Sequence, residues 1–564
     1  MRLALLFVCT AAACGDNLAH YPDAPSDSDV RLARAFRTES LPGCAYASPV
    51  LVEAGGETRA LVVTSQGWVA AYTLDGEQRW AFELEAPGDE AAELAATPVA
   101  VGHRAVIAWQ NRGADSQSRS SHHAAVVDVA TGTLDPEFPE LTFAASQPGN
   151  DGEVMFRATN AYSRSTIVLG KRPGDELGLA YVGFGNLRDE QPWHGWLFEL
   201  DLDAWRSGGT AAAFSSVLLV TPEASCGNLP TFDGGCGGGI WAPSGPHVIQ
   251  RPDGFELWVP TGNGQLDVSR RDYANSILRV GPGLAFDPHC DPIACATFDP
   301  RAPAEACMAS CRDMFMPRLR AGDPPLAPQN GRCDGLTFLE CYAELDLDLG
   351  ADSPAPVTLA SGRTVVVLPA KDGAVYLFDA DHFGTMLDRL QIREFCGDNG
   401  GNCDGYNWTG TMVTEPLITH VGDQPVALVP TFYYDRVNPG GVVALDIVES
   451  GAQVTLRERW SAPRRDDREA VQLFRQQTGR LVLLERDGVK YAALADPADK
   501  GGIGKLLLLR VDDGAIVFRA DLDGPGQRYQ APARVGDRIM FTSCDDGYAV
   551  PAGPSHLEGW DLAP

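Results

Sequence analysis

The side chains with the most chemistry open to them in this sequence are its cysteines, and there are 14. Cys9 and Cys14 sit in the apolar N-terminal stretch; setting these two aside leaves 14 − 2 = 12, an even number. In an oxidising compartment such a set reads as a disulfide framework. Spacing suggests Cys226 with Cys236, Cys290 with Cys295 and Cys396 with Cys403. Cys307 with Cys341 would nest around Cys311 with Cys333, leaving Cys44 and Cys544 for each other. Zinc is the competing reading of the cluster at 290–341, although no Cys-x-x-Cys pair occurs there. A second chemical candidate is the loop CGDNGGNCDGYNW (396–408), whose Asp398, Asn399, Asn402 and Asp404 are hard oxygen donors of the kind Ca²⁺ takes. Their spacing is not that of an EF-hand, and Asp, Asn and Gly are also ordinary turn residues. His122–His123 reads as a solvated loop pair and His194 as a structural residue. No metalloprotease helix, nucleophile elbow or phosphate-binding loop motif is present.

These residues hang on a weak repeat that begins near residue 30. Its unit is a Pro-Val strand, a turn, an apolar strand, a Gly-aromatic strand and an Asp-Gly turn leading to an aromatic. SPVLV (48–52), ALVVTS (60–65) and GWVAAYTLDGEQRW (67–80) form the first unit. Later units start near 97, 165, 237, 355, 415, 479 and 531. In the third, HGWLFELDLDAW (194–205) reads as a strand. In the fourth, GGGIW (237–241) reads as the inner strand and LWVP (257–260) as the next. A unit of this kind cannot bury both faces alone, so neighbours must stack around a ring. The sequence therefore predicts an all-β, eight-bladed propeller of four-stranded antiparallel blades over 30–564. The last unit supplies only three strands. VRLARAFRTES (30–40) has the character of the missing outermost strand, so an N-terminal strand would close the ring. Residues 287–350 interrupt the repeat as a disulfide-rich insertion, with a short helix expected near 303–319.

The 564-residue chain has a formal net charge of −30, which excludes nucleic acid as a partner because a polyanion needs a basic footprint. It equally disfavours docking on anionic headgroups. It suits the solubility of an exported surface, or a face selecting cations. MRLALLFVCTAAAC is too short to span a bilayer and fits a signal peptide over 1–13. Ala11, Ala12 and Ala13 ahead of Cys14 resemble a bacterial lipobox, which implies lipidation at Cys14. The polar stretch 15–29 would then be a flexible tether, with the membrane contacted through the lipid alone. No other stretch is apolar enough to be transmembrane. The expected address is the bacterial outer membrane or cell surface.

Four motifs carry a resemblance to the pyrroloquinoline quinone (PQQ), or quinoprotein alcohol dehydrogenase-like, propellers: HGW (194–196), GGIW (238–241), TGNG (261–264) and DLDLG (346–350). The series looks especially like a bacterial lipoprotein branch of that superfamily. In the dehydrogenases a Glu, an Asn and an Asp gather near Ca²⁺ and PQQ, over a Trp floor. Laid on this chain, the resemblance implies Glu190 or Asp189 and Asn263 at the metal, Trp241 under the quinone, and Asp346 or Asp348 as metal ligand or catalytic base. Hard oxygens suit Ca²⁺, and a carboxylate beside a quinone takes an alcohol proton. The resemblance also implies that the Trp ending the first repeat, Trp80, docks between blades. The chain departs from the dehydrogenases: it has no vicinal cysteines, GGI replaces GGT, and no Cys-x-x-Cys-His haem site occurs. The expected function is therefore a lipid-anchored binding or scaffold propeller with a protein or glycan partner. The alternative is a PQQ- and Ca²⁺-dependent dehydrogenase. A role like that of the lipid-anchored propellers that assist outer-membrane protein assembly would rest on fold and address only.

Overall fold

The computed structural model describes residues 30–113, 119–150, 152–186, 192–226, 236–326, 333–345, 347–392, 414–431, 441–462, 478–497, 503–522, 524, 526, 529–544 and 555–564. Eight antiparallel sheets follow one another in the ring, most of them four strands in sequential order. The alternation of side chains along each strand explains why so many of these strands are apolar throughout. Val366 and Leu368 face the fourth blade, whereas Val365 and Val367 face the sixth. Leu507 and Leu509 likewise pack on blade six, Leu506 and Leu508 on blade eight. Each sheet is thus buried on both faces, and eight apolar clusters fill the eight gaps between neighbouring blades.

The ring closes as the sequence predicts. Arg31–Arg37 pairs antiparallel with Ser555–Ala563, completing the blade that also contains Ala533–Val535 and Arg538–Cys544. Cys44 and Cys544 are joined at this seam with a Cα–Cα distance of 5.4 Å. Phe36 fills the space above two glycines there: a Cβ on Gly76 or Gly559 would lie 2.3 or 2.1 Å from its ring.

Tryptophans stitch neighbouring blades. Trp80 Nε1 donates to the Val129 carbonyl at 2.9 Å, and its ring lies flat against Gly132, where a Cβ would come within 2.4 Å. Trp460 repeats the arrangement with the Val511 carbonyl at 2.9 Å and Gly514.

The structure corrects several local expectations. GGIW is not a strand: the inner strand of blade four is His247–Arg251, followed by Gly254–Pro260 and Ile277–Val280. Gly237 and Gly238 have φ of +73° and +78°, which breaks any strand there and frees the segment to run along the channel mouth. The strand Trp196–Asp201 ends at Asp201, which caps the helix Leu202–Gly208 by accepting from the Ala204 N–H. The expected helix near 303–319 shortens to Glu305–Ser310, because Met314–Phe315 leaves it to become the outer strand of blade four. The insertion also contributes the helix Phe338–Glu344, opened by a Thr337/Glu340 capping box. Its cysteines pair as Cys290–Cys311, Cys295–Cys307 and Cys333–Cys341, not as 290–295, 307–341 and 311–333. The helix Glu305–Ser310 folds back over 290–295 and brings Cys307 and Cys311 to that loop, a proximity that sequence spacing does not encode. Cys226 pairs with Cys236, whereas Cys396, Cys403 and the proposed calcium loop lie outside the described residues.

A Gly132→Ala substitution would force a Cβ into Trp80 at a backbone angle of φ +77°. We expect a loss of about 2–4 kcal/mol, read from the denaturant midpoint.

Candidate functional site

Four glycine-bearing motifs converge on one end of the ring axis. The Gly195 N–H donates to the Gly237 carbonyl at 2.9 Å, the Gly238 N–H to the Asn263 carbonyl at 2.7 Å, and the Gly262 N–H to the Gly239 carbonyl at 2.8 Å. The backbones touch: a Cβ at Gly195 would fall 1.8 Å from the Gly238 carbonyl oxygen, and one at Gly350 would fall 2.4 Å from the Thr261 backbone. Only glycine allows this lacing, and it sets Trp241, Asn263 and Asp348 beside one another.

Asp348 is buried and holds two partners, the Asn263 N–H and the ammonium of buried Lys371. Asn263 bonds through both ends of its amide. Its Oδ1 accepts from Asn275 Nδ2 at 3.1 Å and the Gly264 N–H at 3.0 Å, and its Nδ2 donates to the Ala343 carbonyl at 3.2 Å. Trp241 is flanked by two cations, with the Arg164 guanidinium 4.4 Å and Lys371 Nζ 5.0 Å from its ring centroid. Arg164 also lies 5.6 Å from the Tyr529 ring. Arg164 precedes blade three, Trp241 blade four and Tyr529 blade eight, and blades that are not neighbours can meet only on the axis.

A second polar group crosses the ring. Glu415 lies 3.7 Å from His247 and 3.6 Å from Arg480, and Arg480 donates to the Ser48 hydroxyl at 3.3 Å. Burial pushes the Glu415 carboxyl up, but the His247 hydrogen bond and the Arg480 charge outweigh it and hold the group below its ordinary range. Asp352, close enough to feel the Glu415 charge, is buried, and neither carboxylate oxygen has a hydrogen-bond partner among the described residues. Burial raises its carboxyl well above the usual range, and Glu415 adds to that.

The structure places only some of the site residues expected from sequence. Trp241, Asn263 and Asp348 come together; Asp189, Glu190 and Asp346 lie outside the described residues, as do Cys14 and the rest of 1–29. Lys371, Arg164 and Asn275 touch this group, and the sequence had not singled them out. Asp352 and Glu415 carried a signal, since each stands where a Pro-led inner strand begins. His122 and His123 are not a solvated loop pair. Both lie on the strand Arg119–Asp128, where His123 stacks on Trp109 at 5.2 Å. His122 is buried edge-on to Phe184, 5.2 Å away, and burial pushes its pKa down to about 3, only partly offset by its bond to the Ala158 carbonyl. His194 bonds through Nδ1 to the Thr221 hydroxyl at 2.9 Å; burial pushes its pKa down to about 4.

The described residues do not fit a Ca²⁺ ion as they stand. That ion takes six to eight oxygen ligands. Here the carboxylate is already neutralised by Lys371 and the amide oxygen already accepts twice.

Among solved structures, the chain is similar to the quinohemoprotein alcohol dehydrogenase of Comamonas testosteroni, with 13% identity, 95% of this chain and 77% of that one covered, and a TM-score of 0.52. It is similar to the quinohemoprotein alcohol dehydrogenase ADHIIG of Pseudomonas putida HK5 at 12% identity, with 95% and 76% covered and a TM-score of 0.50. A likeness to BamB from Moraxella catarrhalis has 12% identity, 94% and 99% covered, and a TM-score of 0.46. At these identities the likeness to the two dehydrogenases establishes a shared propeller fold. No family model and no curated protein matches the chain. Among the described residues, no helix is long and apolar enough to cross a membrane.

Lys371→Met would strand the buried Asp348 carboxylate. We expect it to cost about 3–5 kcal/mol in chemical denaturation, with little effect from Lys371→Arg if the guanidinium reaches the same oxygen. His122 supplies a pH test. Its folded pKa lies below the unfolded value, so its contribution is complete above about pH 6.5 and is lost as the pH falls toward 3. His122→Gln keeps a donor for Ala158 but cannot titrate, and should flatten the acid limb of a stability–pH profile in that window.

Proposed function

We propose that this chain is an exported, lipid-anchored β-propeller that acts as a binding or scaffold protein, offering its channel mouth and loops to a protein or glycan partner. Its body would face the periplasm or the cell exterior, tethered at Cys14. The observation that supports this reading is the pairing of Asp348 and Asn263 with other groups of the chain. Asp348 is paired with Lys371 and the Asn263 N–H, and Asn263 spends its side chain on Asn275, Gly264 and Ala343. These atoms hold loops of the propeller together.

One observation favours a second reading, a PQQ- and Ca²⁺-dependent dehydrogenase. Trp241 presents a flat ring with Arg164 and Lys371 beside it, a surface that suits a planar polyanion. In that reading Trp241, Arg164, Lys371 and Asn263 would hold the quinone, with Asp348 as metal ligand or base. The quinone would supply hydride or electron-pair acceptance from an alcohol.

Thermal unfolding of the purified body with and without PQQ and Ca²⁺ separates the two. A ligand specific to the native state raises Tm by linkage, on the order of 2.7 kcal/mol at 100 times Kd. We expect no shift. A saturable rise that disappears in both Trp241→Ala and Asn263→Ala would replace the scaffold reading by the dehydrogenase.

A further inference from the structure

Beside the channel mouth, and separate from the Trp241 group, is a second cluster of ligand-type atoms. One ligand-type atom from each of His194, Cys226 and Cys236 lies within 4.8 Å of the other two. Cys226 and Cys236 are disulfide-bonded, and His194 Nε2 lies 3.3 Å from Cys226 Sγ. His194 and Cys226 line a cavity of about 240 Å³ together with Phe156, Arg157, Trp193 and Trp196.

The hydrogen bonds fix which imidazole nitrogen is bare. Thr221 has one hydroxyl proton, which it directs to the Gly237 carbonyl at 3.1 Å. Its oxygen therefore accepts from His194 Nδ1–H at 2.9 Å, and Nε2 keeps a lone pair facing the sulfur. Two of the three donors are held by backbone that does not depend on the disulfide. The Gly237 N–H donates to the Trp193 carbonyl at 3.0 Å, and the Gln265 N–H to the Cys236 carbonyl at 2.9 Å. Breaking the S–S bond would leave His194 and Cys236 in place.

We propose that the Cys226–Cys236 disulfide masks a metal site, and that its reduction exposes a Cys₂His set for one zinc-type d¹⁰ cation. A dithiol reductant donates two electrons and two protons to the S–S bond and becomes a cyclic disulfide itself. Zn²⁺ then displaces the two thiol protons and binds both thiolates and His194 Nε2. Three protein ligands with a fourth position open to a cavity is a coordination pattern zinc adopts, with Zn–S near 2.3 Å and Zn–N near 2.0 Å. Thr221 acts as a positioning residue by fixing the tautomer. The trio Cys290, Cys295 and Cys311 differs: its sulfurs are divided between two disulfides and it has no histidine.

The test uses the full chain, reduced with dithiothreitol, desalted without oxygen and titrated with Zn²⁺ against a chromogenic chelator. A Cys226→Ser/Cys236→Ser double variant treated identically accounts for zinc held by the other cysteines. The parent should retain one equivalent more than the double variant, and only after reduction. Co²⁺ in its place should give thiolate-to-metal charge-transfer absorption that the double variant lacks. His194→Gln, which leaves both cysteines intact, should weaken that equivalent at least ~10-fold, and Thr221→Val by ~10–100-fold. Equal stoichiometry in parent and double variant, uptake by the unreduced protein, or unchanged affinity in His194→Gln would each overturn the proposal. Should the double variant not fold, His194→Gln decides the matter alone.

Discussion

Each of the eight blade sheets is apolar on both faces, and that constraint governs the rest. Val365 and Val366 are adjacent in sequence, yet they pack into different gaps on either side of one blade. Such a sheet has no stable existence alone, and a row of them has two exposed ends. Closing the ring removes both ends, and here a single segment performs the closure. Arg31–Arg37 pairs with the last strand, and Leu32 enters the cluster between blades seven and eight. The disulfide between Cys44 and Cys544 spans 500 residues at the same seam. In the chain-entropy view, cross-links closing long loops restrict the unfolded chain most.

Closure also creates the site. Residues at the start of inner strands are brought to the axis regardless of their separation along the chain. Ser48 meets Arg480, and Glu415 meets His247, although neither pair belongs to neighbouring blades. Polar groups in this position are desolvated, so they must be paired within the chain. Most are. Asp348 pairs with Lys371, whereas the Asp352 carboxylate has no hydrogen-bond partner among the described residues and is held toward the neutral form by burial.

The glycine lacing of the four motifs serves two ends at once. It packs loops so closely that no side chain fits between them, and it carries both Trp241 and the His194–Cys226–Cys236 cluster. The backbone contacts alone require the glycines.

How much was readable in advance follows from the range of each interaction. The repeat, the strand alternation and the turn residues are local, so the eight blades and the N-terminal closing strand were legible in the sequence. Trp241, Asn263 and Asp348 were legible only through a resemblance to known propellers. The pairing of Cys290 with Cys311 was not, because a fold-back of the helix Glu305–Ser310 decides it. Nor was the burial of His122, whose polar neighbours in sequence suggested a loop while Phe156 and Phe184 close over it from another blade. Lys371 begins an ordinary Lys-Asp-Gly turn, and nothing nearby marks it as the partner of Asp348, 23 residues away. Sequence by itself determined what each blade must bury, since period and hydrophobicity are properties of short segments. Tertiary structure alone decided which polar groups meet on the axis, because that depends on the ring having closed.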